Sequence, residues 1–73
     1  MKQRLTNKQL SVYCFSQDYF KENDQIPTAD AVTIHIGAKD RTAGYHHLRQ
    51  LERKGYLERN AAGWFRFTRE RIE

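Results

Sequence analysis

The sequence predicts an α+β domain that is mainly helical, with three helices followed by a two-stranded β-hairpin. Three observations carry that prediction. Apolar residues keep a helical spacing through three segments up to Gly55, the spacing then turns to alternation over an aromatic-rich stretch, and capping or turn residues stand at each junction. At 73 residues the chain reads as one small domain, residues 1–73, able to bury a modest core without metal or disulfide.

Helix 1 is expected to start near Asn7. Thr6 and Gln9 form a capping-box pattern, in which the hydroxyl accepts from the third backbone N–H and the amide reaches back to the first residue. Val12, Phe15, Ser16, Tyr19 and Phe20 keep the helical spacing to Glu22, which places Phe15 and Phe20 in the core, and the run Asn23-Asp24-Gln25-Ile26-Pro27 ends it. Thr28 is the next cap, with Asp30 in the first turn where its charge suits the helix dipole. Helix 2 runs to about Ile36, turns Val32 and Ile36 inward, and stops at Gly37. Asp40 caps helix 3, Arg53 and Lys54 suit its C-terminal dipole, and Gly55 ends it. Tyr56–Asn60 and Trp64–Thr68 flank Ala61-Ala62-Gly63 and read as a hairpin whose glycine takes a positive φ. Phe65 and Phe67 should face the helices and Trp64 and Arg66 the other side, with fraying from Thr68 onward.

Two short helices joined through a glycine turn make a helix-turn-helix, and the hairpin after them makes it winged. The third helix is the most informative segment. Gly44, Leu48 and Leu51 recur at i, i+4 and i+7 and form an inner stripe, while Arg41, Thr42, Tyr45, His46 and Arg49 lie outside. Charge points the same way. Residues 1–37 are balanced, whereas residues 38–73 hold nine Lys and Arg against five Asp and Glu and so carry the whole formal net charge of +4. A cationic half built around an outward helix face is the footprint of a partner such as double-stranded DNA.

Arg41 or Arg49 can pair with guanine, Thr42 and Ala43 can pack on a thymine methyl, His46 can donate to a guanine N7, and Tyr45 can stack or hold a phosphate. His47 falls beside Leu51, either packed or on the outer face. Thr28, Lys39, Arg53, Lys54, Arg59 and Arg66 are the candidates for the DNA backbone, where contacts set register without reading sequence. Gly44 costs about 1 kcal/mol against alanine within a helix, which points to a close approach of helix 3 to helix 2.

Leu5-Thr6, Pro27-Thr28, Gly37, His47-Leu48, Leu51, Arg53-Lys54-Gly55, Leu57 and Glu58 together resemble the N-terminal DNA-binding domain of the LexA repressors, without a gap and over about residues 4–69. The resemblance implies that helix 3 enters the major groove and that the wing meets the backbone or minor groove. It also implies base contacts from Asp40, Thr42, Ala43, Tyr45 and His46. Those positions carry Ser, Asn, Ala, Glu and Glu in the repressor, so a different operator is expected, and loss of two acidic groups should raise general DNA affinity. No second domain with a serine-lysine dyad is read in these residues, so self-cleavage is not expected.

Other classes find little support. The lone Cys14 reads as a small buried hydrophobe in a cytoplasmic protein, since it has no disulfide partner. No apolar run suits a signal peptide or membrane span. His35, His46 and His47 lack a companion ligand set for a metal, and no nucleophile-base pair or phosphate loop suggests an enzyme or a cofactor. Within DNA binding, a small repressor-like transcription regulator and an excisionase-like architectural factor of a mobile element both suit the size. The rival is a protein-interaction module that binds a polymerase or a larger regulator, or a homodimer, through Tyr56 and Trp64 of the wing, unless one of them closes the core beneath the hairpin.

Overall fold

The computed structural model describes residues 3–68. Its elements run α1 (Asn7–Asn23), α2 (Ala29–Ile36), α3 (Arg41–Arg53), β1 (Leu57–Arg59) and β2 (Phe65–Phe67), as the winged arrangement requires. Each helix starts on the expected cap. Thr6 and Gln9 complete the capping box, with Gln9 N–H donating to Thr6 Oγ1 at 3.2 Å and Thr6 N–H donating to Gln9 Oε1 at 3.0 Å. Thr28 Oγ1 accepts from Ala31 N–H at 3.1 Å, and Asp40 Oδ1 accepts from Thr42 N–H at 3.0 Å.

The turn between α2 and α3 depends on Gly37, whose φ of +72° is a left-handed conformation that side-chain-bearing residues rarely take. Its N–H bonds the Ile34 carbonyl and the N–H of Ala38 bonds the Thr33 carbonyl, both at 3.1 Å, so two of the last four carbonyls of α2 are satisfied within the turn. The chain enters α3 at once.

Val12, Ile26, Val32, Leu48, Leu51, Leu57 and Phe65 form the core, so all three helices and the hairpin contribute to one apolar centre. The inner stripe of α3 is as expected, with Gly44, Leu48 and Leu51 all buried. Gly44 is where α2 and α3 meet most closely. A methyl group there would overlap the Ala29 carbonyl oxygen and the Thr33 hydroxyl and lie 2.9 Å from the Thr33 nitrogen. In the space that glycine leaves, Thr33 Oγ1 accepts from Gly44 N–H at 3.1 Å and donates to the Ala29 carbonyl at 2.7 Å.

Two expected core positions on α1 are corrected. Phe20 is 40% exposed and touches Phe67 edge-on with ring centres 5.5 Å apart, because the last turn of α1 runs past the apolar centre that Val12 closes. Cys14 is exposed rather than buried. It lies two residues from both Val12 and Ser16, about 200° around the helix from each, so the face that buries those two turns it outward. Phe15 is half-buried and stacks on His35 with centroids 4.3 Å apart.

The strands are shorter than the alternation suggests and pair antiparallel, Leu57 with Phe67, Glu58 with Arg66 and Arg59 with Phe65. Asn60 organises the turn: its side-chain oxygen accepts from Ala62 N–H at 2.9 Å and Trp64 N–H at 3.0 Å, while Gly63 takes φ +84°. Leu57 and Phe65 are buried and Phe67 is half-buried, so the hairpin does lay its apolar face on the helices. Trp64 departs from the expected outward placement. It is half-buried against the core, edge-on to Phe65 at 5.0 Å. Thr68 does not fray, since its hydroxyl donates to the Gly55 carbonyl at 2.9 Å; the rest of the segment expected to fray lies outside the described residues.

Gly44→Ala separates packing from propensity. On an open helix face the change stabilises by about 1 kcal/mol, whereas here overpacking against backbone should cost about 1–3 kcal/mol. Thermal unfolding followed by circular dichroism should show a melting temperature lowered by roughly 5–20 °C for a domain of this size. An unchanged or raised melting temperature would refute the close approach.

Candidate nucleic-acid interface

The outer side of α3 begins with Arg41 and Thr42, both exposed, and continues through His46, also exposed, with Ala43, Tyr45 and Arg49 half-buried. Six of the seven positions expected to face bases therefore line one face. The seventh, Asp40, sits at its start with one carboxylate oxygen given to the cap. That hydrogen bond from Thr42 holds the Asp40 carboxyl below its ordinary pKa, so the cap remains anionic.

Thr28, Ala29, Asp30, Arg41, Thr42, Tyr45 and Trp64 enclose an open cleft of about 530 Å³ between the N-terminal turns of α2 and α3 and the wing. Thr28 and Trp64 thus meet the helix 3 residues on a single surface. Nothing in the sequence marks Trp64 as part of that surface. Only the hairpin's return across the molecule brings it there.

Arg41 is held by Asp30 across the two helices, Nε to Oδ1 at 2.7 Å and Nη2 to Oδ2 at 2.9 Å. Hydrogen bonding from the guanidinium holds the Asp30 carboxyl below its ordinary pKa, and the same contact raises that of Arg41. Tyr45 is a clamp rather than a loose ring. Its ring packs on Phe65 with centroids 5.9 Å apart, and its hydroxyl accepts from Arg59 Nη2 at 3.0 Å. Hydrogen bonding from Arg59 first, and from Arg49 second, lowers the pKa of the phenol.

The cations expected on the DNA backbone fall into two groups. Lys39 and Arg53 are exposed and make no ion pair or hydrogen bond among the described residues. Arg59 is tied into the wing: it stands 4.3 Å over the Phe65 ring, donates to the Gly63 carbonyl at 2.9 Å and pairs with Glu52 at 3.2 Å. Arg66 pairs across the strands with Glu58 at 2.5 Å. Lys54 reaches back to the start of the chain, giving hydrogen bonds to Gln9 Oε1 at 2.6 Å and the Arg4 carbonyl at 3.0 Å. His47 is half-buried and turns back on its own helix, its Nδ1 2.9 Å from the Ala43 carbonyl. Tyr56 and Trp64 both pack on the core, so neither stands free on the wing.

A third helix that presents an open polar face, braced by α2 and flanked by a two-stranded wing, defines a winged helix-turn-helix of the DNA-binding class. The chain belongs to one family within it, the LexA DNA-binding domain, whose family model matches residues 2–63. Over 56 residues it is 34% identical to the LexA repressor of Carboxydothermus hydrogenoformans, covering 77% of this chain and 28% of that protein. It is 35% identical over 54 residues to the LexA repressor of Syntrophobacter fumaroxidans, covering 74% of this chain and 26% of that one. The LexA repressor of Alcanivorax borkumensis is 34% identical over 58 residues, or 80% of this chain and 28% of its own length. The chain therefore spans less than a third of the length of these relatives. No helix among the described residues is long and apolar enough to cross a membrane.

Two outcomes follow from these environments. Tyr45 should titrate below the ordinary phenol range when followed by ultraviolet absorbance, and Arg59→Gln should move it back up; a phenol unmoved by that change would show that Arg59 does not hold it. Asp30 gives the folded state a lowered carboxyl pKa, so its stabilising contribution is complete above the unfolded carboxyl's pKa and disappears as the pH falls through the folded value. Urea unfolding should thus find Asp30→Asn slightly less stable than the parent at neutral pH, as befits so exposed a pair, and indistinguishable from it in acid.

Proposed function

We propose that this chain is the sequence-reading DNA-binding unit of a repressor-like transcription regulator, with α3 in the major groove and the wing along the backbone or minor groove. The observation that carries this reading is the division of α3 itself: Gly44, Leu48 and Leu51 are spent entirely on the core, which leaves Arg41, Thr42 and His46 exposed on the outer side of its first two turns, the part of the helix that enters a groove first. Family membership and the name of the repressor relatives agree with it.

Arg41 and Arg49 would pair with guanine, Thr42 and Ala43 with the methyl group of thymine, and His46 with a guanine N7. Lys39 and Arg53 are the readiest phosphate contacts because no partner among the described residues has to be given up. Thr28, which lines the open cleft at the start of α2, would meet the backbone as well. Arg59, Arg66 and Lys54 reach phosphate only by sharing or leaving Tyr45 and Glu52, Glu58, or Gln9. The polar residues serve binding rather than catalysis. The protein-interaction reading loses its chief support with the packing of Tyr56 and Trp64 on the core.

Titration of labelled duplex DNA at several salt concentrations tests the proposal. Observed affinity should fall with salt along a log-log slope of several units, at roughly 0.9 per phosphate engaged. Lys39→Ala should lower that slope by about one unit with equal loss on all sequences, whereas Arg49→Ala should cost about 1–3 kcal/mol on the preferred duplex alone. Absence of binding at low salt, or a flat response, would refute it.

A further inference from the structure

The Asp30–Arg41 pair is only a small part of what holds the fold together. Its two side chains are 57% and 73% exposed, and ion pairs in that setting add little to stability. A carboxylate beside the groove-entering end of α3 also repels phosphate. What the pair does achieve is orientation. Asp30 takes the Nε and Nη2 side of the guanidinium in a two-point contact, which fixes the plane of the group at the mouth of the cleft. The opposite, end-on edge, made of Nη1 and the remaining proton of Nη2, has no partner among the described residues. That edge carries two parallel donors of the kind that meets O6 and N7 of guanine.

We propose that Asp30 is a positioning residue for base recognition: it locks Arg41 so that its end-on edge is presented to one guanine in the major groove, while Asp30 itself touches no base. The inference rests on the DNA-binding reading and adds a residue of α2 to its specificity. It requires two consequences of opposite sign. Loss of the carboxylate should relax the guanine preference, because Arg41 regains its rotamer freedom, and should raise affinity for unrelated DNA, because a repelling charge is gone.

Selection from randomised duplexes with the 73-residue chain, followed by titration of the selected duplex and of the same duplex with the guanine replaced, tests this. The parent should discriminate against the replaced duplex by about tenfold or more, and Arg41→Ala and Arg41→Lys should abolish that preference, since a lysine cannot hold both partners at once. Asp30→Asn should lose most of the discrimination while binding unrelated DNA more tightly. Asp30→Glu, which keeps the charge but displaces the carboxylate, should relax the preference without the gain in general affinity, and it gives the answer should the asparagine variant fail to fold. A guanine preference kept within about twofold by the folded Asp30 variants would reduce the pair to a tie between helices and overturn the inference. So would a selected motif in which no guanine depends on Arg41, with the DNA-binding reading left standing. Failure of the parent to select any motif would overturn both.

Discussion

The contact between Gly44 and Thr33 is the constraint on which the remaining geometry depends. A helix-turn-helix positions its second helix through the first, and here the first approaches so closely that no β-carbon fits between them. The Thr33 hydroxyl fills the gap and satisfies the Ala29 carbonyl and Gly44 N–H at once. Because Gly44 lies one turn into α3, this contact fixes the end of the helix that bears Arg41 and Thr42. The Gly37 turn can then be short, and the opposite face of α3 is held outward by the burial of Leu48 and Leu51. Interiors are close-packed, so such a seat transmits little play to the exposed side.

The cationic half of the chain is divided by its acids. Glu52 and Glu58 hold Arg59 and Arg66, and Gln9 with the Arg4 carbonyl holds Lys54. These bonds fasten the wing to α3, its two strands to each other, and α3 to the start of the chain. The wing is thereby a fixed flank of the cleft, with Arg59 laid over Phe65 and bonded to Tyr45. Among the described residues, Lys39, Arg53 and the end-on edge of Arg41 have no partner. A net charge counted along the chain treats all these residues alike, but the folded surface does not.

Much of the fold was legible because its signals are local. Thr6, Thr28 and Asp40 cap because a short oxygen-bearing side chain reaches backbone N–H groups two or three residues on, and that reach is the same in any protein. Gly37 and Gly63 were readable for a similar reason, since a left-handed residue is most easily a glycine. Periodicity fails where it has to stand for depth. Phe20 continues the apolar spacing of α1 but lies beyond the end of the core, and Cys14 follows its residue type's usual burial into the wrong face. Strict alternation turns Trp64 outward, yet the residue precedes β2 and is bound to Asn60 in the turn, where alternation no longer applies.

The sequence by itself determined where the helices and hairpin lie, where they end, and which stripe of α3 is buried, because caps, turns and apolar spacing act over a few residues. It also marked the outer face of α3 that is proposed to read DNA. Only the tertiary structure decided which of those polar residues are open and which are committed. Asp30 and Arg41 stand 11 residues apart, Tyr45 and Arg59 stand 14 apart, and Gln9 and Lys54 stand 45 apart. Pairing between polar side chains depends on distance in space, and chain separations of that size leave it undetermined until the helices and wing have packed.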